Sequence, residues 1–161
     1  MTTVAEARVP LTLEGLTRLR EELAYLTDVK RLELAASLEQ GRENNLSTED
    51  DPGFEFARQE QASVEERILT LADMIARAEI IDETAARHSP IVQLGSTVVV
   101  KPDDGPAQTY HLVGSIEVDV SRGKISDSSP VGRALLGHRP GERVEVSTPN
   151  GSRGLTIVSL A

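Results

Sequence analysis

The chain has 161 residues, 39% of them hydrophobic and 27% charged, with a net charge of −9 and no cysteine. That excludes a disulfide framework and thiolate chemistry, and with two Phe, two Tyr and no Trp a core must be built from Leu, Val, Ile and Ala. No run approaches the roughly 20 apolar residues that span a bilayer, and Met1–Pro10 lacks the basic-then-apolar pattern of a secretion signal, so the sequence reads as cytoplasmic with no membrane partner.

The charge is unevenly placed. Residues 1–84 hold 9 Lys/Arg against 19 Asp/Glu, whereas residues 85–161 hold 8 against 7. The chain therefore divides into an acidic half, 1–84, and a nearly neutral half, 85–161. An acidic half argues against direct binding to nucleic acid through phosphate contacts, which need a basic face.

After a loose lead-in over residues 1–10, Thr12 is placed to cap a helix whose first turn includes Gly15. Leu16, Leu19, Leu23 and Leu26 follow at spacings of three, four and three, a narrow apolar seam. Beyond Leu26 the pattern drifts through Val29 and Leu32 to Leu34, Ala35 and Leu38, and the helix is expected to end at Asn44-Asn45. A second helix carries Phe54, Ala57, Gln61, Val64, Ile68, Leu71, Ile75 and Ala78 in strict alternation of three and four. Two such helices make an antiparallel two-helix coiled coil, closed by a turn over residues 44–56. Pro52 and Gly53 break helical continuity there, and Glu49, Asp50 and Asp51 set three consecutive carboxylates on the tip. On spacing alone these are a solvated polar turn.

Asp82–Pro90 reads as a linker, after which the period changes. Leu94–Lys101 and Gln108–Val113 are β-branched, alternating strand candidates, and Arg143–Ser147 and Leu155–Ser159 form a second pair across Pro149-Asn150-Gly151. Between the pairs, Ser129–Leu136 has the composition of a short helix with Pro130 in its first turn and Gly137 after its end. Strands bracketing one helix make a small α+β domain.

No nucleophile–base arrangement stands out. His88, His111 and His138 fall in a linker, a strand and a loop without metal-ligand spacing, and no phosphate-binding glycine motif is present. The chemistry-bearing types thus describe a binding or docking module rather than an enzyme.

Residues 125–137, Ile-Ser-Asp-Ser-Ser-Pro-Val-Gly-Arg-Ala-Leu-Leu-Gly, closely resemble the Ile-Ser-x-x-Ser-Pro-x-Gly-x-Ala-Leu-Leu-Gly signature of the Gre transcription elongation factors. The likeness extends to Leu11-Thr12-Leu13-Glu14-Gly15, Leu19-Arg20-Glu21-Glu22-Leu23, Ala57-Arg58-Gln59-Glu60-Gln61, Ala78-Glu79-Ile80-Ile81-Asp82, Gly141-Glu142-Arg143-Val144-Glu145-Val146 and Pro149-Asn150-Gly151, in order over residues 9–160. It implies an α+β protein with an N-terminal antiparallel coiled coil and a C-terminal FKBP-like domain. It implies a monomer whose partner is bacterial RNA polymerase, docked at the rim of the secondary channel with the coil directed towards the active centre. Nucleic acid is then met only indirectly, through the elongation complex. Glu117, Asp119, Ser129 and Pro130 resemble the docking surface.

In cleaving members of that family the tip reads Gly-Asp-Leu-x-Glu-Asn-Ala-Glu-Tyr, and its Asp and first Glu hold a polymerase-bound Mg²⁺ and an attacking water, so that the polymerase itself hydrolyses backtracked RNA. Here the tip departs. Anchored on Leu46, Asn45 stands at the Asp position, Glu49 reaches the Glu position only with one inserted residue, and Asp50-Asp51-Pro52-Gly53-Phe54 replaces the remainder. The sequence therefore reads as a polymerase regulator with no cofactor of its own, contacting polymerase-bound Mg²⁺ through Glu49, Asp50, Asp51 or Asn45, and inhibiting rather than cleaving. The alternatives are a cleavage-stimulating factor using Glu49 with Asp50 or Asp51, and an FKBP-like prolyl isomerase, which the single aromatic of the second half, Tyr110, argues against.

Overall fold

A computed structural model describes residues 7–43 and 51–161. The chain forms two compact units: Leu16–Arg77, and a second unit in which the described residues up to Gly15 join Ala78–Ala161. The second unit thus begins before the expected boundary at residue 84 and takes in an N-terminal segment. The physical cause is β1 (Val9–Leu11), which pairs in parallel with β2 (Ala78–Ile80), so the expected loose lead-in is partly a strand.

The first unit is a helical hairpin. Helix α1 (Leu13–Tyr25) passes through a wide turn at Leu26–Lys30 into α2 (Arg31–Glu43), and α3 (Pro52–Ala76) returns. The helices are antiparallel: Glu22 meets Arg67 near one end, and a Cβ on Gly41 would lie 3.7 Å from the Phe54 ring near the other. At 1.5 Å per residue the 25 residues of α3 extend about 38 Å. Leu34, Val64 and Ile68 form the buried seam, with Leu23 and Leu26 packed against it, and Leu71 is fully buried.

The wide turn explains the drift of the first seam. Arg31 N–H donates to the Leu26 carbonyl five residues back, the signature of a π-turn, and the Thr27 hydroxyl donates to the Leu23 carbonyl. A strict three–four alternation from Leu26 would resume at positions 33 and 37. It resumes instead at Leu34 and Leu38, both buried, because the π-turn absorbs one residue, while Leu32 is left 62% exposed. The second seam holds along α3, but its last expected member, Ala78, has left the helix for β2.

The expected turn over 44–56 is shorter at its described end. Helix α3 starts at Pro52, whose missing N–H costs nothing at the first helical position, and Asp51 caps it. The expected helix end at Asn44-Asn45 lies outside the described residues.

In the second unit the supposed linker contains α4 (Glu83–His88), capped by the Asp82 carboxylate, which accepts from Ala85 N–H at 2.9 Å, and anchored by fully buried Ala86. A sheet of order β5-β4-β3-β7-β6 follows. Its strands are β3 (Thr97–Pro102), β4 (Gln108–Val113), β5 (Lys124–Ser126), β6 (Arg143–Thr148) and β7 (Gly151–Leu160), antiparallel except for the β4–β5 pair. Helix α5 (Pro130–Leu135) contributes Leu135 to a core of Val92, Val98, Val100, Leu112, Ile125, Val144, Val146, Leu155 and Ile157. This is the α+β architecture expected from the sequence. Among the described residues no helix is long and apolar enough to cross a membrane.

Candidate functional site

Of the tip residues singled out in the sequence, Asn45, Glu49 and Asp50 lie outside the described residues. Asp51 is described and half-buried. Its backbone is extended (φ −84°, ψ 111°) and its carboxylate accepts from Gly53 N–H at 3.1 Å, so it serves as the N-cap of α3. Among the described residues no group of three His, Cys, Asp or Glu side chains is placed to hold a metal ion.

The flanks of the arm spend cations on internal pairs. Arg31 grips Glu65 through two bonds of 2.7 and 2.8 Å, Arg67 grips Glu22 through two of 2.7 and 2.9 Å, and Lys30 meets Glu60 at 2.7 Å. The hydrogen bonds from Arg31 hold the Glu65 carboxyl below its ordinary range, and those to Glu60 and Glu22 raise Lys30 and Arg67. The π-turn makes part of this possible, since Lys30 and its immediate successor Arg31 both reach α3.

The four docking candidates are placed on two short segments. A 3₁₀ turn at Ser115–Glu117 carries Glu117, whose carboxylate accepts from Thr12 N–H at 2.7 Å and from the Thr12 hydroxyl. That hydroxyl in turn accepts from Gly15 N–H at 3.0 Å, capping α1. Glu117 is therefore committed to the start of α1 rather than to the other three. A Cβ on Gly15 would overlap the Glu117 carboxylate, so a larger residue there would displace it from Thr12.

Asp119 opens a second 3₁₀ turn, Val120–Arg122, and exchanges backbone hydrogen bonds of 3.0 and 2.9 Å with Lys124 at the start of β5. The Ser121 hydroxyl, 2.5 Å away, is the main cause holding its carboxyl below the usual range. At the other end of β5, the Ser129 hydroxyl donates to the Ser126 carbonyl at 2.7 Å and accepts from Gly132 N–H at 3.0 Å, capping α5. Gly132 is confined by the same carbonyl, which a Cβ would strike. Pro130, at the first helical position, is exposed. Asp119, Ser129 and Pro130 thus flank one short strand. Alternating with Glu117 and Asp119 before that strand, the sequence reasoning missed three exposed apolar side chains, Ile116, Val118 and Val120, the last 78% exposed; the alternation Ile-Glu-Val-Asp-Val was the signal for them.

The histidines do not converge. His111 is half-buried and bridges the Thr97 hydroxyl at 3.0 Å and the Glu83 carboxylate at 3.1 Å. His88 lies 2.8 Å from the Thr84 carbonyl and His138 3.2 Å from Glu142.

Residues 9–80 match the family described as "Transcription elongation factor, N-terminal", and residues 87–161 match "Transcription elongation factor, GreA/GreB, C-term". The chain is 40% identical over 157 residues to the transcription elongation factor GreA of Thermomicrobium roseum, covering 98% of this chain and 99% of that protein. It is 42% identical over 152 residues to the GreA of Listeria welshimeri, covering 94% of each. Among solved structures, the crystal structure of GreA factor homolog 1 of Thermus thermophilus is 34% identical, covers 96% of this chain and is itself covered to 99%, with a TM-score of 0.45. The chain belongs to the GreA/GreB family of transcription elongation factors.

Proposed function

We propose that this chain is a cytoplasmic regulator of bacterial RNA polymerase that enters the secondary channel as a monomer and slows elongation without promoting RNA cleavage. In this reading the sheet unit docks at the channel rim through Asp119 and Pro130. The arm end reaches the active centre, where Glu49 and Asp50 approach the polymerase-bound Mg²⁺. Any RNA hydrolysis would be the polymerase's own reaction, and the chain meets nucleic acid only through the elongation complex.

The observation that carries the non-cleaving part is the fate of the tip carboxylates. A cleavage factor needs two carboxylates that complete a cation's shell and position a water. This tip offers a neutral amide at Asn45, which ligates Mg²⁺ without adding charge. Asp51, the third of the acidic run, is spent on capping α3, so the two carboxylates left, Glu49 and Asp50, are sequence neighbours rather than set at the Asp-Leu-x-Glu spacing of cleaving tips. The prolyl-isomerase reading gains no support: the Tyr110 hydroxyl is bonded to Gln108 at 2.7 Å, and its ring packs against the sheet core.

The test is a stalled, backtracked elongation complex given this chain with and without nucleotides. Slower extension with no 3′-terminal RNA fragments is the expected result. Release of such fragments above the polymerase's own rate would replace this reading with a cleavage-stimulating one.

A further inference from the structure

Strand β6 is an edge strand. It pairs with β7 alone, in a ladder whose last pair is Thr148 with Gly151. Alternate residues of an antiparallel strand turn their backbone N–H and C=O groups away from the partner, and counting from that closing pair these are Ser147, Glu145 and Arg143. Beside this open edge runs α5, and between them lies a groove of about 280 Å³ lined by Pro130, Arg133 and Ala134 of the helix and by Glu145 and Ser147 of the strand. A free strand edge next to a helix is the geometry in which an extended peptide adds as a further strand, with main-chain bonds supplying affinity and the flanking side chains supplying selectivity.

The charges of the groove are unequal. Glu145 is held by Arg143 at 3.1 Å, and Arg143 also reaches Asp103 at 2.5 Å. Arg133, on the opposite wall, is exposed; its backbone N–H donates to the Ser129 carbonyl, but its guanidinium has no hydrogen bond or ion pair among the described residues. The groove therefore presents one uncompensated guanidinium beside the small apolar surface of Pro130 and Ala134. We infer that the β6 edge is a binding site for an extended segment of a protein partner, added antiparallel or parallel to β6, with an acidic side chain on Arg133 and small apolar side chains against Pro130 and Ala134. This inference shares Pro130 with the polymerase-docking reading but rests on the open edge and on Arg133, which that reading does not use.

The test titrates the isotope-labelled full chain with the capped peptide acetyl-Thr-Val-Glu-Val-Thr-amide and with the same peptide carrying lysine in place of glutamate. The expected result is a shift and slowed exchange of the Arg143, Glu145 and Ser147 amides, with binding about tenfold tighter for the glutamate peptide, as a single charge-assisted hydrogen bond gives. Arg133→Glu is expected to reverse the preference, binding the lysine peptide better, an outcome that loss of folding cannot produce. No response of the β6 amides at millimolar peptide, or equal binding of both peptides to parent and variant, overturns the proposal. So does a response of the same amides to protein concentration alone, which would make a second copy the occupant.

Discussion

Thr12 and Glu117, 105 residues apart, close on each other through two hydrogen bonds, from the backbone N–H and from the hydroxyl of Thr12 to the two carboxylate oxygens. Thr12 is almost fully buried, so its N–H has no recourse to water if the carboxylate is removed. Glu117→Ala is expected to destabilise the chain by about 1–3 kcal/mol, the usual penalty for a buried donor left unpaired. Thr12→Val, which removes the cap of α1, is expected to cost about 1–2 kcal/mol. Urea unfolding of the two single variants and the double variant checks both, and strictly additive losses would contradict the coupling.

The π-turn makes an unusual prediction about chain length. Deleting the exposed Asp28 removes the extra residue and lets α1 and α2 join as one regular helix with Leu34 and Leu38 still on the seam. Inserting an alanine at the same place turns both leucines off it. The deletion is expected to keep the melting temperature close to the parent's, whereas the insertion exposes two side chains worth about 1.5–3 kcal/mol each. Circular dichroism melts of the two variants separate the cases; equal losses would mean that the turn does not set the register.

The ion pairs of the arm give a pH dependence with a definite sign. The Glu65 carboxyl is lowered in the folded chain by its bonds to Arg31, so the unfolded chain binds this proton more tightly. The pair's contribution is present above the ordinary carboxylate range and is lost as pH falls through the lowered value. Both side chains are largely solvated, and the effect is correspondingly small. Glu65→Gln is therefore expected to melt slightly below the parent at neutral pH and together with it in strongly acidic buffer. A gap that widens on acidification would contradict the assignment.

Docking is best probed where the fold is indifferent. Ser129 and Glu117 each hold a helix start, so changing them tests stability as much as binding. Asp119 and Pro130 are better probes: among the described residues the Asp119 side chain bonds locally, to Ser121 and the backbone of Arg122, and Pro130 is exposed. Asp119→Arg combined with Pro130→Glu is expected to abolish capture of RNA polymerase while leaving the melting curve near the parent's. Undiminished capture by a folded double variant would show that the rim contact lies elsewhere.

What the sequence made legible followed from period. The spacing of Val64, Ile68 and Leu71 marked the buried face of α3, and Ser129-Pro130 marked the start of α5. The drift after Leu26 was visible as an irregularity, but its cause was not, because a π-turn has no composition of its own. Strands β1, β2 and β5 have three residues each, too few to show alternation, and β1 finds its partner only at Ala78. Helix α4 buries a single alanine and so carries no helical period. Among the docking candidates, Pro130 falls within the family-like motif and Asp119 on the segment before it. The commitment of Glu117 to Thr12 was not legible, since it depends on a contact made only once the chain has folded.

In the function we propose, the acidic tip slows the polymerase through its metal. The direct measurement is single-round elongation at a series of Mg²⁺ and nucleotide concentrations, with the parent chain and with Glu49, Asp50 and Asp51 all changed to Asn, a residue that can still cap α3. Inhibition by the parent is expected to weaken as Mg²⁺ or nucleotide rises, with little inhibition by the triple variant at any level. Equal inhibition by both proteins across the whole Mg²⁺ series, or faster hydrolysis of the RNA 3′ end with the parent, would contradict that proposal.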